Sequence, residues 1–442
     1  MSQREAQLRS ATAVYQGEDR GKTWVFHSIE YSEIPGPFEF PRAKTPAAEE
    51  EPVVIDATRP RPERVALTIA VPTGAKFGAD LPVVAFIHGG AYVEGSHEDF
   101  DLTGLAAHNV VAVSIDYRVG LEGFVHFHDD PPDHYRGIED CLVALEWVQK
   151  EIECFGGDPT NVTLAGQSAG AGICLWLART DHFRGLFRRL WALSPAFPRQ
   201  PFAKRKGTLR RILGTPITRR HLTAKLQRHP RALRRGQRAF CRRFFTDIAF
   251  GPAPFDPSLL AEVPMLLSAT RDEFYHDPTT TWLDAHGLGR VLVRLLAAHF
   301  GVWVPASSYL QNTSVIDAAR PLSRLYGDAA VRRWVAQTAE QAPGQSWVFE
   351  LTGTPEQPAV HCDDLPLIFG PGTGPQGGPE ARGDHLLKLL VSFAGGQPPS
   401  WRPYRHSTRR AAARIDRDSG RITEASDPLK YVRLAFKPPK WR

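Results

Sequence analysis

Ser168 lies between two glycines, in Gly166-Gln167-Ser168-Ala169-Gly170, a spacing that can turn a serine into a nucleophile. A serine hydroxyl attacks poorly until a base removes its proton, so a working site also needs a histidine and an acid. The pentapeptide alone arises by chance in Gly- and Ser-rich chains, and an idle serine in a glycine turn is the bland alternative. Its flanks argue otherwise: Val162-Thr163-Leu164 reads as a strand entering the turn, and Ala171 to Leu175 as a helix leaving it. That is the strand–turn–helix setting of a nucleophile elbow. The turn is so tight that a side chain at 166 or 170 would collide with strand or helix, and it lifts the Ser168 hydroxyl above the carboxyl ends of a sheet.

Attack on a carbonyl creates an oxyanion, which needs donors aimed at it. His88-Gly89-Gly90-Ala91 follows the strand-like run Val83 to Ile87, and its small residues leave backbone N–H groups bare. The helix after the elbow adds the Ala169 N–H and the positive end of a helix dipole. A flexible turn is the competing reading of residues 88–91, and the elbow downstream weighs against it. In a fold of this kind the chain order is serine, acid, histidine. Arg271-Asp272-Glu273 follows the strand-like run 264–270, and on spacing either carboxylate qualifies. His361 follows the strand-like run 346–351 and a short loop, which singles it out among 16 histidines.

The surrounding elements fit such a site. Runs rich in β-branched residues at 65–71, 83–87 and 110–115 alternate with helical spacing at 140–155 (Leu142, Leu145, Val148, Ile152) and 169–178. This predicts an α/β fold, a mixed but mainly parallel sheet with crossover helices. The turn Gly156-Gly157-Asp158-Pro159 is expected to end the first helix. A further helix is expected over 384–393, after a Gly/Pro loop at 370–383, and the tail beyond Pro398 reads as polar, basic and partly loose. Residues 199–252 and 279–340 break the rhythm and read as helical insertions that cap the sheet edge, within one catalytic domain spanning 1–442. No internal repeat interrupts this organisation.

Composition sets wider bounds. The chain has 442 residues, ordinary for one large enzyme domain with insertions. Its 5 cysteines are scattered without a CxxC pair, which fits free thiols in a reducing compartment. The N-terminus lacks the apolar core of a signal peptide, and no run suffices for a membrane span. A cytoplasmic location is therefore expected. The formal charge of +6 is uneven: sixteen Lys and Arg fall between Arg199 and Arg243, and no acid appears from 199 to 246. A solvated helical face is the default for such a run. A cap that draws anionic substrates is the second reading. Nucleic-acid or anionic-membrane contact is the third, and the segment lacks aromatics interleaved for base stacking.

The chain resembles the type-B carboxylesterase and cholinesterase family of the α/β-hydrolase fold. The resemblance rests on Pro82-Val83-Val84-Ala85-Phe86-Ile87-His88-Gly89-Gly90-Ala91-Tyr92 and on Ser114 to Phe124. It rests also on Trp147 to Thr163, on Thr270 to Phe274, and on His361-Cys362-Asp363-Asp364-Leu365-Pro366. It is very specific from about 83 to 195, patchier afterwards, and absent through 199–250. It implies a serine carboxylesterase acting on small esters, with Ser168 as nucleophile, Glu273 as acid and His361 as base. Gly90, Ala91 and Ala169 would supply the oxyanion N–H groups, and Ser194 would support the glutamate. Such a mechanism uses no cofactor and no metal. Amides, carbamates or lactones would suit the same triad, and a non-catalytic binding role, known where family members have lost the triad, is the rival class. Gln167 stands where the family usually has a glutamate. The early cysteine loop and the aromatic residue presented to choline are missing, which disfavours choline esters.

Two weaker signals complete the reading. His126, His128, Asp129, Asp130, Asp133 and His134 are dense enough to suggest a metal, but a Pro-rich solvated loop is favoured. Cys362, beside His361, reads as a small filler. No nucleic-acid partner is expected, and the oligomeric state is left open.

Overall fold

The computed structural model describes residues 6–44, 52–373 and 383–436. Its strands are β1 (Ala6–Arg9), β2 (Ala13–Asp19), β3 (Thr23–Ile29), β4 (Ser32–Glu33), β5 (Arg42–Ala43), β6 (Val53–Asp56), β7 (Leu67–Pro72) and β8 (Leu81–Ile87). There follow β9 (Val111–Ile115), β10 (Gly157–Gln167), β11 (Arg189–Leu193), β12 (Met265–Thr270), β13 (Ser346–Thr352), β14 (Ala411–Asp416) and β15 (Ile422–Ser426). One large sheet runs in the order β1-β2-β3-β7-β9-β8-β10-β11-β12-β13-β14-β15, with β6 beside β2, and β4 pairs with β5 apart from it. From β9 to β14 every pairing is parallel. The flanking pairs β3–β7, β7–β9 and β14–β15 are antiparallel. This is the α/β-hydrolase architecture, mixed and mainly parallel.

The central strands are apolar on both faces because both are covered. Val83, Ala85 and Ile87 belong to the core on one side of the sheet, and Val84 and Phe86 to the core on the other. Leu190 and Ala192 alternate in the same way with Trp191 and Leu193. Alternation along a strand sends neighbours to opposite faces, so burial on both faces demands an unbroken apolar run. The helix Arg136–Glu151 covers one face through Ile138, Cys141, Leu142, Leu145 and Val148. The chain passes from β8 to β9 on one side, then crosses to β10 on the other. The loops that follow β8 and β10 therefore diverge at a topological switch point, the place where open α/β sheets bind ligands.

Several sequence expectations change in detail. The helix expected from 140 starts at Arg136, because Ile138 already packs inward. The turn at 156–159 is shorter than expected: β10 begins at Gly157, opposite Leu81, and its register shifts between Gly157 and Val162. Residues 399–436 of the tail are not loose. They supply β14, β15 and the helix Lys430–Ala435, and Ala411, Ala412 and Ala413 are buried. Those alanines are too small and the flanking residues too charged to read as a strand without the pairing of β14 to β13. Most of the Gly/Pro loop expected at 370–383, residues 374–382, lies outside the described residues.

The segment 199–252 forms the helices Lys206–Leu213, Arg219–Arg228 and Pro230–Arg243. Leu209, Leu213, Leu222, Leu233 and Phe240 are buried beneath them. Gly236 permits a close crossing, since a Cβ there would lie 2.3 Å from Leu213. The segment 279–340 carries the helices Pro278–Ala285, Gly289–Leu296, Ala306–Ser314 and Pro321–Gly327, then a wide turn into Arg333–Gln341. The two segments touch: the Arg199 guanidinium donates to the His299 carbonyl at 2.8 Å and lies over the Phe300 ring.

Candidate active site

Ser168 stands between β10 and the helix Ala169–Leu177, with φ 55° and ψ −116°. That backbone is strained for a residue with a side chain, and the neighbours enforce it. A Cβ on Gly166 would lie 2.7 Å from the Gly170 carbonyl carbon, and one on Gly170 would lie 2.1 Å from the Ile87 carbonyl oxygen. Gly166 is thus required by the fold-back of the elbow on its own helix, and Gly170 by the contact between the turn and β8. The Ser168 N–H donates to the Leu193 carbonyl at 2.8 Å, which fixes the turn against β11.

His361 Nε2 lies 3.0 Å from Ser168 Oγ, and His361 Nδ1 lies 2.6 Å from Glu273 Oε2. The other Glu273 oxygen accepts from Ser194 Oγ at 2.8 Å and from the Thr270 N–H at 2.9 Å. Both oxygens of this buried carboxylate are therefore satisfied. The His361 ring stacks on Phe274, centroids 4.9 Å apart, which fixes the imidazole plane. Burial opposes the charged imidazolium, but the Glu273 carboxylate outweighs it, and the His361 pKa is raised above the ordinary value.

Asp272 and Glu273 part company completely. Asp272 points away from His361 and accepts from Arg324 at 2.5 Å and from Arg271 at 3.3 Å. Spacing left both acids open, and the distinction depends on Arg324 in a distant helical segment, which carries no signal of its own. Asp364, two residues beyond Cys362, is buried, and burial pushes its pKa up to about 7.

Across from the histidine, Gly90 and Ala91 take φ 102° and 51° in the loop after β8. At Gly90 only glycine fits, because a Cβ would lie 2.0 Å from the Glu94 carbonyl oxygen. Ala169 is the first residue of its helix, so its N–H has no acceptor within that helix. The loop is braced from behind by His88, whose Nδ1 lies 2.8 Å from the Gly89 carbonyl oxygen and whose Nε2 lies 3.0 Å from Asp116. Asp116 also pairs with His97 at 3.1 Å. Burial alone would raise the Asp116 pKa, but the two histidines prevail and it is lowered. This support was not anticipated from sequence, since it depends on β8 and β9 pairing side by side.

Ser168, His361, Gly90 and Ala91 open into a cavity of about 810 Å³ that also meets Phe100, Phe274, Tyr326 and Leu365. Residues 241 and 247–249 close one side of it, so the basic insertion does reach the pocket. Its arginines do not line the pocket. Among the described residues, the charged groups lining it, apart from His361 and His88, are Glu94, Asp99 and Asp247. The arginines of the insertion can therefore act on an anion approaching Ser168 only through their field at a distance. Gln167 lies beneath His361, its Nε2 3.3 Å from Cys362 Sγ. Burial holds the Cys362 thiol well above the usual range, so it stays protonated.

In the histidine-rich loop the aspartates are held by arginines. Asp130 pairs with Arg136 at 2.5 Å and with Arg219 at 2.9 Å, and Asp133 pairs with Arg179 at 2.8 Å. His128 stays exposed. His134, Glu139 and His182 do come within 4.8 Å of one another. The two imidazoles, however, stack at 4.7 Å and 28°, which sends their in-plane lone pairs past each other.

Comparison with known proteins adds to this geometry. The model of the carboxylesterase family matches residues 65–268, from β7 to β12. Para-nitrobenzyl esterase of Bacillus subtilis is 29% identical over 409 residues, covering 82% of this chain and 80% of that protein. Neuroligin-2 of mouse is 40% identical over 114 residues, which cover 26% of this chain and 14% of that protein. A carboxylesterase from Geobacillus stearothermophilus superposes with a TM-score of 0.76 at 24% identity, over 98% of this chain and all of that one, a likeness of fold.

Proposed function

We propose that this chain, which belongs to the type-B carboxylesterase and cholinesterase family, hydrolyses carboxylic esters through an acyl-enzyme on Ser168. The observation that carries the proposal is the continuous chain Ser168–His361–Glu273, with contacts of 3.0 and 2.6 Å. His361 Nε2 takes the Ser168 proton as Oγ attacks the ester carbonyl. The oxyanion that forms accepts hydrogen bonds from the Gly90, Ala91 and Ala169 N–H groups. Glu273 holds the tautomer with the proton on Nδ1 and stabilises the imidazolium. His361 then protonates the departing alcohol, and a water activated by the same nitrogen cleaves the acyl-enzyme. Each step needs only groups of this chain.

A cavity with an apolar wall of Phe100, Phe274 and Leu365 suits the hydrocarbon part of a small ester. The intact triad geometry speaks against a purely non-catalytic binding role. The test is direct: wild-type protein is expected to react with a fluorophosphonate and to hydrolyse an aryl acetate. Ser168→Ala is expected to fold normally, to lose labelling, and to lose activity by on the order of 10⁴-fold or more. A wild-type protein that never takes the label would end this reading.

A further inference from the structure

We propose that the two helical insertions form one surface that docks on an anionic lipid bilayer beside the mouth of the pocket. The first observation is charge. On the helix Pro230–Arg243 the residues Arg231, Arg234, Arg235, Arg238 and Arg242 are exposed, whereas Leu233, Gly236 and Phe240 are buried. Spacings of three and four residues place those arginines on one face, opposite the buried one. None of them has an ionic partner among the described residues. The segment's nearest acid, Asp247, is already paired with Arg199 and Arg205.

The second observation is apolar and independent of the first. Leu288, Val291 and Leu295 share one face of the helix Gly289–Leu296 and are 43%, 51% and 71% exposed. Arg290 and Arg294 flank them and are also exposed. No acid occurs between Asp284 and Asp317, so this second segment is acid-free like the first. The two meet at Phe245, 67% exposed, three residues after Arg242. Its carbonyl accepts from Tyr326 at 3.2 Å, and neighbouring Thr246 Oγ1 lies 3.5 Å from His299 Nε2, one turn beyond Leu295. Tyr326 and Asp247 line the pocket.

Arginines without counter-charges complement an anionic surface, and isolated apolar side chains standing out among them can enter the boundary between headgroups and acyl chains. A folded nucleic acid would use the charges but leave Leu295 and Val291 exposed to water. A second copy of the chain would use the apolar ridge but bring the arginines toward one another. The bilayer satisfies both sets of groups. Docked in this way, the chain would hold its pocket mouth next to esters dissolved in the membrane.

The experiment uses full-length Ser168→Ala protein, so binding is read apart from hydrolysis and does not depend on the proposed activity. Flotation is measured with vesicles of phosphatidylcholine alone and of phosphatidylcholine with phosphatidylglycerol. Binding is expected only to the anionic vesicles and is expected to fall steeply with salt. Each Arg→Gln change at 235, 238 or 242 should weaken it about fivefold. Phe245→Ser with Leu295→Ser should weaken it at least as much while thermal stability is retained. Equal flotation with both vesicle types, or with neither, overturns the proposal. So does loss of binding in the arginine variants but not in the apolar pair, if single-stranded RNA binds with the same dependence, which would make the surface a polyanion site. A wild-type dimer that dissociates on Leu295→Ser would assign the ridge to self-association instead.

Discussion

At the carboxyl end of the sheet, Ser168 holds a strained backbone between glycines that no larger residue can replace, and its triad partners are each hydrogen-bonded. The helix Pro230–Arg243 is under a far weaker constraint: Leu233, Gly236 and Phe240 must face inward, and the opposite face is unrestricted by packing. In the first region, steric contact with β8 and β11 dictates residue identity position by position. In the second, only the period of the apolar residues is dictated, so charge can accumulate on the outer face without disturbing the fold. The proposed chemistry is confined where the backbone leaves least choice, and surface character varies where it leaves most.

One pair of substitutions tests this contrast with the largest expected difference. Gly170→Ala would place a Cβ 2.1 Å from the Ile87 carbonyl oxygen, and β8 and the elbow would have to separate. The expected outcome is loss of hydrolysis by at least 10³-fold, or no folded protein, since oxyanion donors and nucleophile would move apart. Gly207→Ala, in the exposed helix Lys206–Leu213, meets nothing within 4 Å. It is expected to leave activity unchanged and to raise stability by about 0.5–1 kcal/mol in thermal unfolding, because alanine loses less backbone freedom in a helix. Equal effects at the two sites would break the comparison.

The neighbouring acids sharpen it within the site itself. Glu273→Gln is expected to lower kcat by on the order of 10⁴ with the fold retained, because the amide presents the wrong tautomer to His361. Asp272→Asn acts on stability instead. It removes the charge facing buried Arg324, and a buried cation left without its anion costs about 3 kcal/mol or more. Its kcat in properly folded protein should change far less. A reversal of this ranking in paired kinetics and unfolding curves would reassign the acid.

The pH profile carries a smaller effect with a definite sign. His361 acts as base only when neutral, and Glu273 raises its pKa above the ordinary value of about 6.5. Wild-type kcat/KM is therefore expected to fall as pH drops through a midpoint above about 6.5. In Glu273→Gln the carboxylate is gone and burial remains, which favours neutral imidazole. The midpoint of its residual activity should move to lower pH. A midpoint that stays in place would mean that the profile reports another group.

How far the sequence revealed this site follows from the same physics. The elbow and the glycine loop after β8 were legible because their steric demands select residue types that stand out in any chain. The strands β7 to β10, and Ser168 and His361 as the candidates that the fold brings to 3.0 Å of one another, could be read from local pattern alone. The choice of Glu273 over Asp272 could not, because Arg324 makes it from a different part of the chain. The bracing of the glycine loop by His88, Asp116 and His97 was hidden because it depends on β8 and β9 lying side by side. β14 stayed unread because its alanines and charged neighbours become a strand only through pairing with β13. The basic segment was recognised as helical, but which way its arginines faced depended on where Leu233 and Phe240 packed.

The smallest effect asks whether those outward arginines still act on the substrate. An ester bearing a carboxylate approaches two opposing fields. The exposed arginines of the cap attract it from a distance, and Glu94, Asp99 and Asp247 repel it inside the pocket. Asp247 is largely neutralised by Arg199 and Arg205, which leaves Glu94 and Asp99 as the uncompensated charges nearest the substrate. Salt screens both fields over about 10 Å at 0.1 M, and it screens the longer-range attraction first. If pocket acids dominate, the carboxylate ester should be the poorer substrate against a neutral analogue of equal size. Its kcat/KM should then rise with salt by no more than about threefold, because salt removes part of the attraction along with the repulsion. If the cap dominates, kcat/KM should fall with salt while the neutral analogue stays flat. The pocket lining favours the rise, and Glu94→Gln should flatten it, since that change removes an uncompensated charge beside the oxyanion loop. A falling curve that survives Glu94→Gln would show that the field of the arginines reaches the substrate although none of them lines the pocket.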